Sequence, residues 1–75
     1  DYRYIGHPIF TLIDAKPYAG LTVQEFHETF PGIFITLIYK KGKPSIPYSD
    51  LKLEKNCSLR IWGPARLLEK VSRLS

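Results

Sequence analysis

Apolar side chains recur along this chain in short blocks, and the blocks change period from one to the next. His7 through Asp14 (HPIFTLID) is a β-branched and aromatic run bounded by prolines, which predicts a first strand. Pro17 and Gly20 punctuate the loop after it. Thr22 and Glu25 then stand three apart ahead of an apolar periodicity. At that spacing each side chain can satisfy a free backbone N–H of the other at a helix start. Val23, Phe26 and Phe30 fall at i, i+3 and i+7 and give the short helix one apolar face, with His27 opposite it. Pro31 and Gly32 end the helix, because proline pushes its predecessor out of helical geometry.

From Ile33 to Ile38 the run IFITLI is too short for a secure helix, and only Thr36 interrupts it. Apolar residues on both faces predict a central strand covered on two sides. Tyr39-Lys40-Lys41-Gly42-Lys43 supplies a polar tip, with Gly42 for a positive-φ turn. Pro44-Ser45-Ile46-Pro47 returns as a short strand whose prolines confine it to an edge. Tyr48 to Asn56 connects onward, and Asn56 suits a turn because it tolerates a left-handed conformation. Cys57, Leu59 and Ile61 alternate with Ser58, Arg60 and Trp62, which predicts a last strand with the first set inward. Gly63-Pro64 opens a final helix, with proline at the first helical position. Leu67, Leu68, Val71 and Leu74 form its buried stripe, and Arg66, Glu69, Lys70 and Arg73 its solvated face. Residues 1–6 carry no pattern and are expected to be a frayed lead-in. The predicted fold is α+β: a small mixed or antiparallel sheet with a short capping helix and a C-terminal helix, in the order β-α-β-β-β-α.

Size narrows what such a fold can do. The chain has 75 residues, enough for one domain. A domain this small buries only about 60–65% of its unfolded surface, so a core and a deep catalytic cleft rarely coexist in it. Eleven Lys and Arg against seven Asp and Glu leave a net charge of +4, so an anionic ligand or nucleic acid enters as a partner class. The single Cys57 excludes an internal disulfide. With only two histidines beside it, at scattered positions, it does not suggest a zinc site. No segment reaches the roughly 18–20 apolar residues of a membrane span. The opening Asp-Tyr-Arg-Tyr is not a signal peptide. Methionine is absent even at position 1, so the chain is expected to be a piece of a longer protein.

Candidate chemistry is sparse. The five glycines do not form a phosphate-binding loop. Cys57 falls on the inward face of a strand, where it reads as a small buried hydrophobe. His7 and His27 have no carboxylate or thiol partner at a useful spacing. No catalytic residue, metal ligand or cofactor is assigned. Two features remain. Lys40, Lys41 and Lys43 could grip a phosphate or an acidic partner, or could simply keep a hairpin soluble and its edge unpaired. Trp62 falls on the face away from the core beside Arg60, and Tyr39 could join it. There it either anchors an interface or is covered by the last helix of its own chain. Tyr39, Lys40, Lys41, Arg60 and Trp62 are therefore the candidate ligand or interface residues.

The stretch from Gly20 to Val71 resembles the TrkA C-terminal, or RCK-C, domain, the regulatory domain of potassium channels and related ion transporters. Four pieces carry the resemblance: the glycine and helix start Gly20-Leu21-Thr22-Val23-Gln24-Glu25-Phe26, and Gly32 through Lys43 as glycine, apolar strand and basic hairpin. Pro47 closes that hairpin, and Leu59-Arg60-Ile61-Trp62-Gly63 leads to the Leu-rich helix of Leu67, Leu68 and Val71. Pro8 to Pro17 can serve as the family's leading strand. Asn56-Cys57 stands where the family usually has Gly-Asp, and Lys40 where arginine is common. Phe34 stands where some members use an asparagine to bind cyclic di-AMP between two copies of the domain, and the resemblance leaves binding of that ligand open at this position.

The resemblance implies that residues 1–75 are one regulatory domain of a longer membrane or membrane-associated protein. It implies a place on the cytoplasmic side of the cell membrane. The implied partners are a second copy of the chain in a homodimer, the membrane-embedded transport domain of the parent chain, and a small anionic or nucleotide ligand. Two other readings stay open: a small basic nucleic-acid-binding module, with Lys40, Lys41, Lys43 and Arg60 on phosphates and Trp62 and Tyr39 stacking on bases, and the effector domain of a transcription regulator.

Overall fold

A computed structural model describes the backbone of residues 6–74 and the side chains of residues 6–71. Strand β1 spans Pro8–Asp14, and a single 3-10 turn, Lys16–Tyr18, follows it. Helix α1 spans Val23–Thr29, β2 Phe34–Lys40, β3 Lys43–Ser45, β4 Cys57–Pro64 and helix α2 Ala65–Leu74. All strand pairs are antiparallel, and the order across the sheet is β1-β4-β2-β3. Both helices lie on one face, α2 against β4 and β1, and α1 against β2. The expected α+β architecture and element order are what the chain adopts, with the sheet wholly antiparallel.

Local chemistry accounts for the boundaries. Helix α1 begins at a complete capping box: the Glu25 backbone N–H donates to Thr22 Oγ1 at 3.0 Å, and the Thr22 backbone N–H to Glu25 Oε1 at 2.8 Å. The helix stops at Thr29, and Gly32 turns the chain at φ 91°. The β2–β3 hairpin closes through Lys41 and Gly42, at φ 52° and 78°, between the paired residues Lys40 and Lys43. Positive φ at both central residues is the type I′ arrangement that follows the natural twist of the two strands. Asn56 does sit in a turn, but Lys41 is the one non-glycine residue with positive φ among those described.

Two further expectations shift. Pro64 ends β4 instead of starting the last helix, because it still pairs with Pro8 across the β1–β4 ladder, and α2 begins at Ala65. Strand β2 is interior to the sheet but covered on its core face alone, since both helices lie on that side. Its pattern hides this because a bulge between Ile35 and Leu37 breaks the alternation. Thr36 occupies the bulge and donates its hydroxyl to the Arg60 carbonyl at 3.0 Å.

The core forms between helices and sheet from Ile13, Phe26, Ile33, Ile38, Leu59, Ile61, Leu68 and Val71, with Cys57 among them as expected. Val23, Phe30 and Leu67 pack partly buried against it. Tyr18 and Phe26 meet edge to face at 5.2 Å, a geometry worth about 0.5–1.5 kcal/mol beyond area alone. The segment after β3 folds back along the entrance to α1. Its hydrogen bonds there include Val23 N to Leu51 O at 2.9 Å and Leu53 N to Leu21 O at 2.8 Å. Leu53 is thereby drawn into the core. The lead-in residues 1–5 and the Arg73 and Leu74 side chains lie outside the described residues.

Candidate functional site

The face of the sheet away from the helices is open, and its register builds three rows. Phe34, Trp62 and Phe10 stand opposite one another across β2, β4 and β1. Leu37, Arg60 and Leu12 form the second row, and Tyr39, Ser58 and Asp14 the third. An open sheet face is ordinarily polar. Here the first row is wholly aromatic, and Phe10 is 52% exposed, Leu12 62% and Phe34 45%. Contiguous exposed apolar surface makes this face the candidate interaction site.

Two rings of the first row, Phe34 and Trp62, pack together, and His27 extends the pair. Phe34 and Trp62 have ring centroids 6.1 Å apart, and the His27 ring centroid lies 4.7 Å from that of Phe34. His27 Nδ1 sits 3.2 Å from the Ile33 carbonyl oxygen, a hydrogen bond when that nitrogen carries the proton. In the second row the Arg60 guanidinium carbon lies 4.1 Å from the Phe10 ring centroid, a cation–π contact. Ser58 is small between Tyr39 and Asp14, so the face dips there. The resulting groove, about 660 Å³, is lined by Phe10, Leu12, Tyr39, Lys41, Ser58 and Arg60 among others.

The five candidate residues divide. Tyr39, Arg60 and Trp62 share the open face, and Lys41 overhangs the same groove from the hairpin turn. Lys40 does not join them. It has the opposite parity to Tyr39, and its ammonium bonds Glu54 at 2.8 Å. That hydrogen bond, and then the Glu54 charge, raise the Lys40 pKa above the ordinary lysine value. Trp62 stays partly exposed, because α2 packs on the opposite face of β4.

Phe10, Leu12, Phe34 and Leu37 belong to the face and were not among the candidates. Their signal was present in β1, where both parities of Ile9-Phe10-Thr11-Leu12-Ile13 are largely apolar, although only one can meet a single helical layer. Among the described residues, no three His, Cys, Asp or Glu side chains come close enough to share a metal ion. No helix among them is long and apolar enough to cross a membrane.

No family model and no curated protein matches the sequence. Among solved structures, the crystal structure of the GsuK RCK domain superposes with a TM-score of 0.73 at 21% sequence identity. The overlap takes in 92% of this chain and 16% of that one. The likeness is one of fold: nearly the whole of this chain has the architecture of a part of that RCK domain structure.

Proposed function

We propose that this chain is a non-catalytic regulatory module of the RCK type, carried by a potassium channel or related ion transporter on the cytoplasmic side of its membrane. It senses a small anionic ligand and pairs with a second copy of itself. The fold likeness to an RCK domain supports the class, and the open aromatic face is the observation that carries the mode of action. A module without a catalytic constellation regulates through differential contacts, binding one state of its parent protein better than another. A face of Phe10, Leu12, Phe34, Leu37 and Trp62 offers such contacts, because covering it removes apolar surface from water. A two-fold pair presents the same patch from both copies and needs no second specialised surface.

Light scattering after size exclusion, over a range of concentrations, tests the pairing. A mass near twice 8.7 kDa supports it, and a strict monomer at the highest concentration sinks it. A second reading draws on the aromatic row with Arg60 and Lys41 beside it, which could stack bases and hold phosphates of a single strand. It requires binding of an oligonucleotide that weakens steeply with salt. Effector-domain membership in a transcription regulator would show as a helix-turn-helix unit in the parent chain.

A further inference from the structure

We propose that the groove over Ser58 binds a small aromatic oxyanion. Its flat body lies between Phe10, Leu12 and Tyr39, and its carboxylate or phosphate sits on the Arg60 guanidinium. This names a site and a ligand class for the sensing function proposed above, and it rests on that reading.

Arg60 is the unusual residue. It stands in the middle of a sheet face, between Leu37 and Leu12 in register, and is partly buried there. Its guanidinium is laid over Phe10 and makes no ion pair or side-chain hydrogen bond with the described residues. A planar fork of N–H donors in that state suits the paired oxygens of a carboxylate or phosphate. The Lys41 ammonium and the Tyr39 and Ser58 hydroxyls line the same groove and are likewise uncommitted among the described residues. The Lys41 backbone is fixed by the tight turn, at φ 52°, so the positive charge at the groove mouth does not depend on a mobile loop.

Size and sign agree with this ligand. A volume of about 660 Å³ is within the range of small-molecule sites, roughly 300–1,000 Å³. Asp14, the acidic member of the third row, already accepts the Lys16 backbone N–H at 2.9 Å and stands at the β1 end. Its charge disfavours an anion at that end of the groove, which leaves Arg60 and Lys41 as the pole for the oxyanion. A groove of about 360 Å³ on the β2–β3 hairpin is lined by Lys40, Lys41, Lys43, Pro44 and Ser45 and has no aromatic ring to hold the ligand's flat body. A groove of about 350 Å³ between α1 and β2 is lined by Val23, His27, Glu28, Phe34 and Pro47 among others, and carries a carboxylate with no lysine or arginine. It lacks the charge for the same ligand.

The test is an amide-shift titration of the ¹⁵N-labelled chain with phenyl phosphate and with benzoate, each compared with inorganic phosphate and with phenol. The site requires saturable shifts at Leu12, Tyr39, Ser58 and Arg60 with a ring-bearing anion, and binding at least tenfold weaker for phosphate or phenol alone. Whichever of phenyl phosphate and benzoate binds more tightly identifies the oxyanion. Arg60→Gln should weaken binding at least tenfold. Ser58→Leu, which fills the groove with Arg60 intact, should abolish it, so the site remains testable if one variant fails to fold. Unchanged affinity in either folded variant overturns the proposal. Shifts confined to Val23, His27 and Phe34 overturn this site and leave ligand sensing standing. No shift with either anion overturns both.

Discussion

Tyr18 donates its phenolic O–H to the Val71 carbonyl at 2.9 Å, joining the 3-10 turn after β1 to helix α2 across 53 positions of chain. Both residues are buried, so the bond forms where water cannot replace it. Tyr18→Phe should therefore cost about 0.5–1.5 kcal/mol, read as a lower urea midpoint at unchanged slope. Burial also raises the Tyr18 pKa above its ordinary value. The neutral phenol is then the form that folding favours. Its contribution is complete below the unfolded-state pKa and is lost as pH rises through the folded-state value. The wild type should lose stability in that alkaline window more steeply than Tyr18→Phe, and urea midpoints on either side of pH 10 check this.

The capping box gives an acid-side counterpart. Hydrogen bonds from the Thr22 backbone and side chain hold the Glu25 carboxyl below its ordinary value. A depressed pKa contributes stability above the unfolded value that is lost as pH falls through the folded one. Thr22→Ala should cost about 1 kcal/mol at neutral pH. It should also return the Glu25 titration, followed by carboxyl NMR, only part of the way to the ordinary glutamate range, because alanine keeps the backbone N–H that is the larger cause of the shift.

Gly63 should not accept a side chain. It lies buried in β4, and a Cβ there would stand 2.7 Å from the Gly32 carbonyl oxygen and 3.4 Å from the Ile33 Cα. Both obstacles are backbone, so the turn after α1 would have to move. Gly63→Ala should cost about 1–3 kcal/mol by thermal or urea unfolding. Gly42, whose Cβ position meets nothing, would feel strain from its φ of 78° alone.

Much of the fold was legible because its signals are local. The Thr22–Glu25 spacing, the Lys41-Gly42 turn and the Cys57 to Trp62 alternation each fix an element within a few residues. The candidate site was legible only in part, because it depends on register between strands far apart in sequence. Arg60 and Trp62 could be placed by alternation within β4. Phe10 joins them only once β1 pairs with β4, and Phe34 only once β2 does. Lys40 was drawn in by its neighbours in sequence, yet strand parity and Glu54 take it to the other side.

That division is itself testable. Leu12→Asp and Trp62→Asp, which set charge into the open face, should convert any paired species to monomer in sedimentation velocity. Lys40→Ala should leave both pairing and phenyl phosphate affinity unchanged. A Lys40 variant that altered either would move the working surface to the hairpin tip.

The bulge at Thr36 carries a consequence for how this strand tolerates change. On each side of it β2 alternates cleanly, Phe34 and Leu37 outward, Ile35 and Ile38 inward, as though Thr36 were not there. It is a letter the spelling of the two faces does not need. A strand is ordinarily the part of a chain where gaining or losing one residue scrambles everything downstream. Here a phase error is absorbed on the spot, so a chain one residue shorter at this position would still send Leu37 and Tyr39 to the open side and Ile38 to the core.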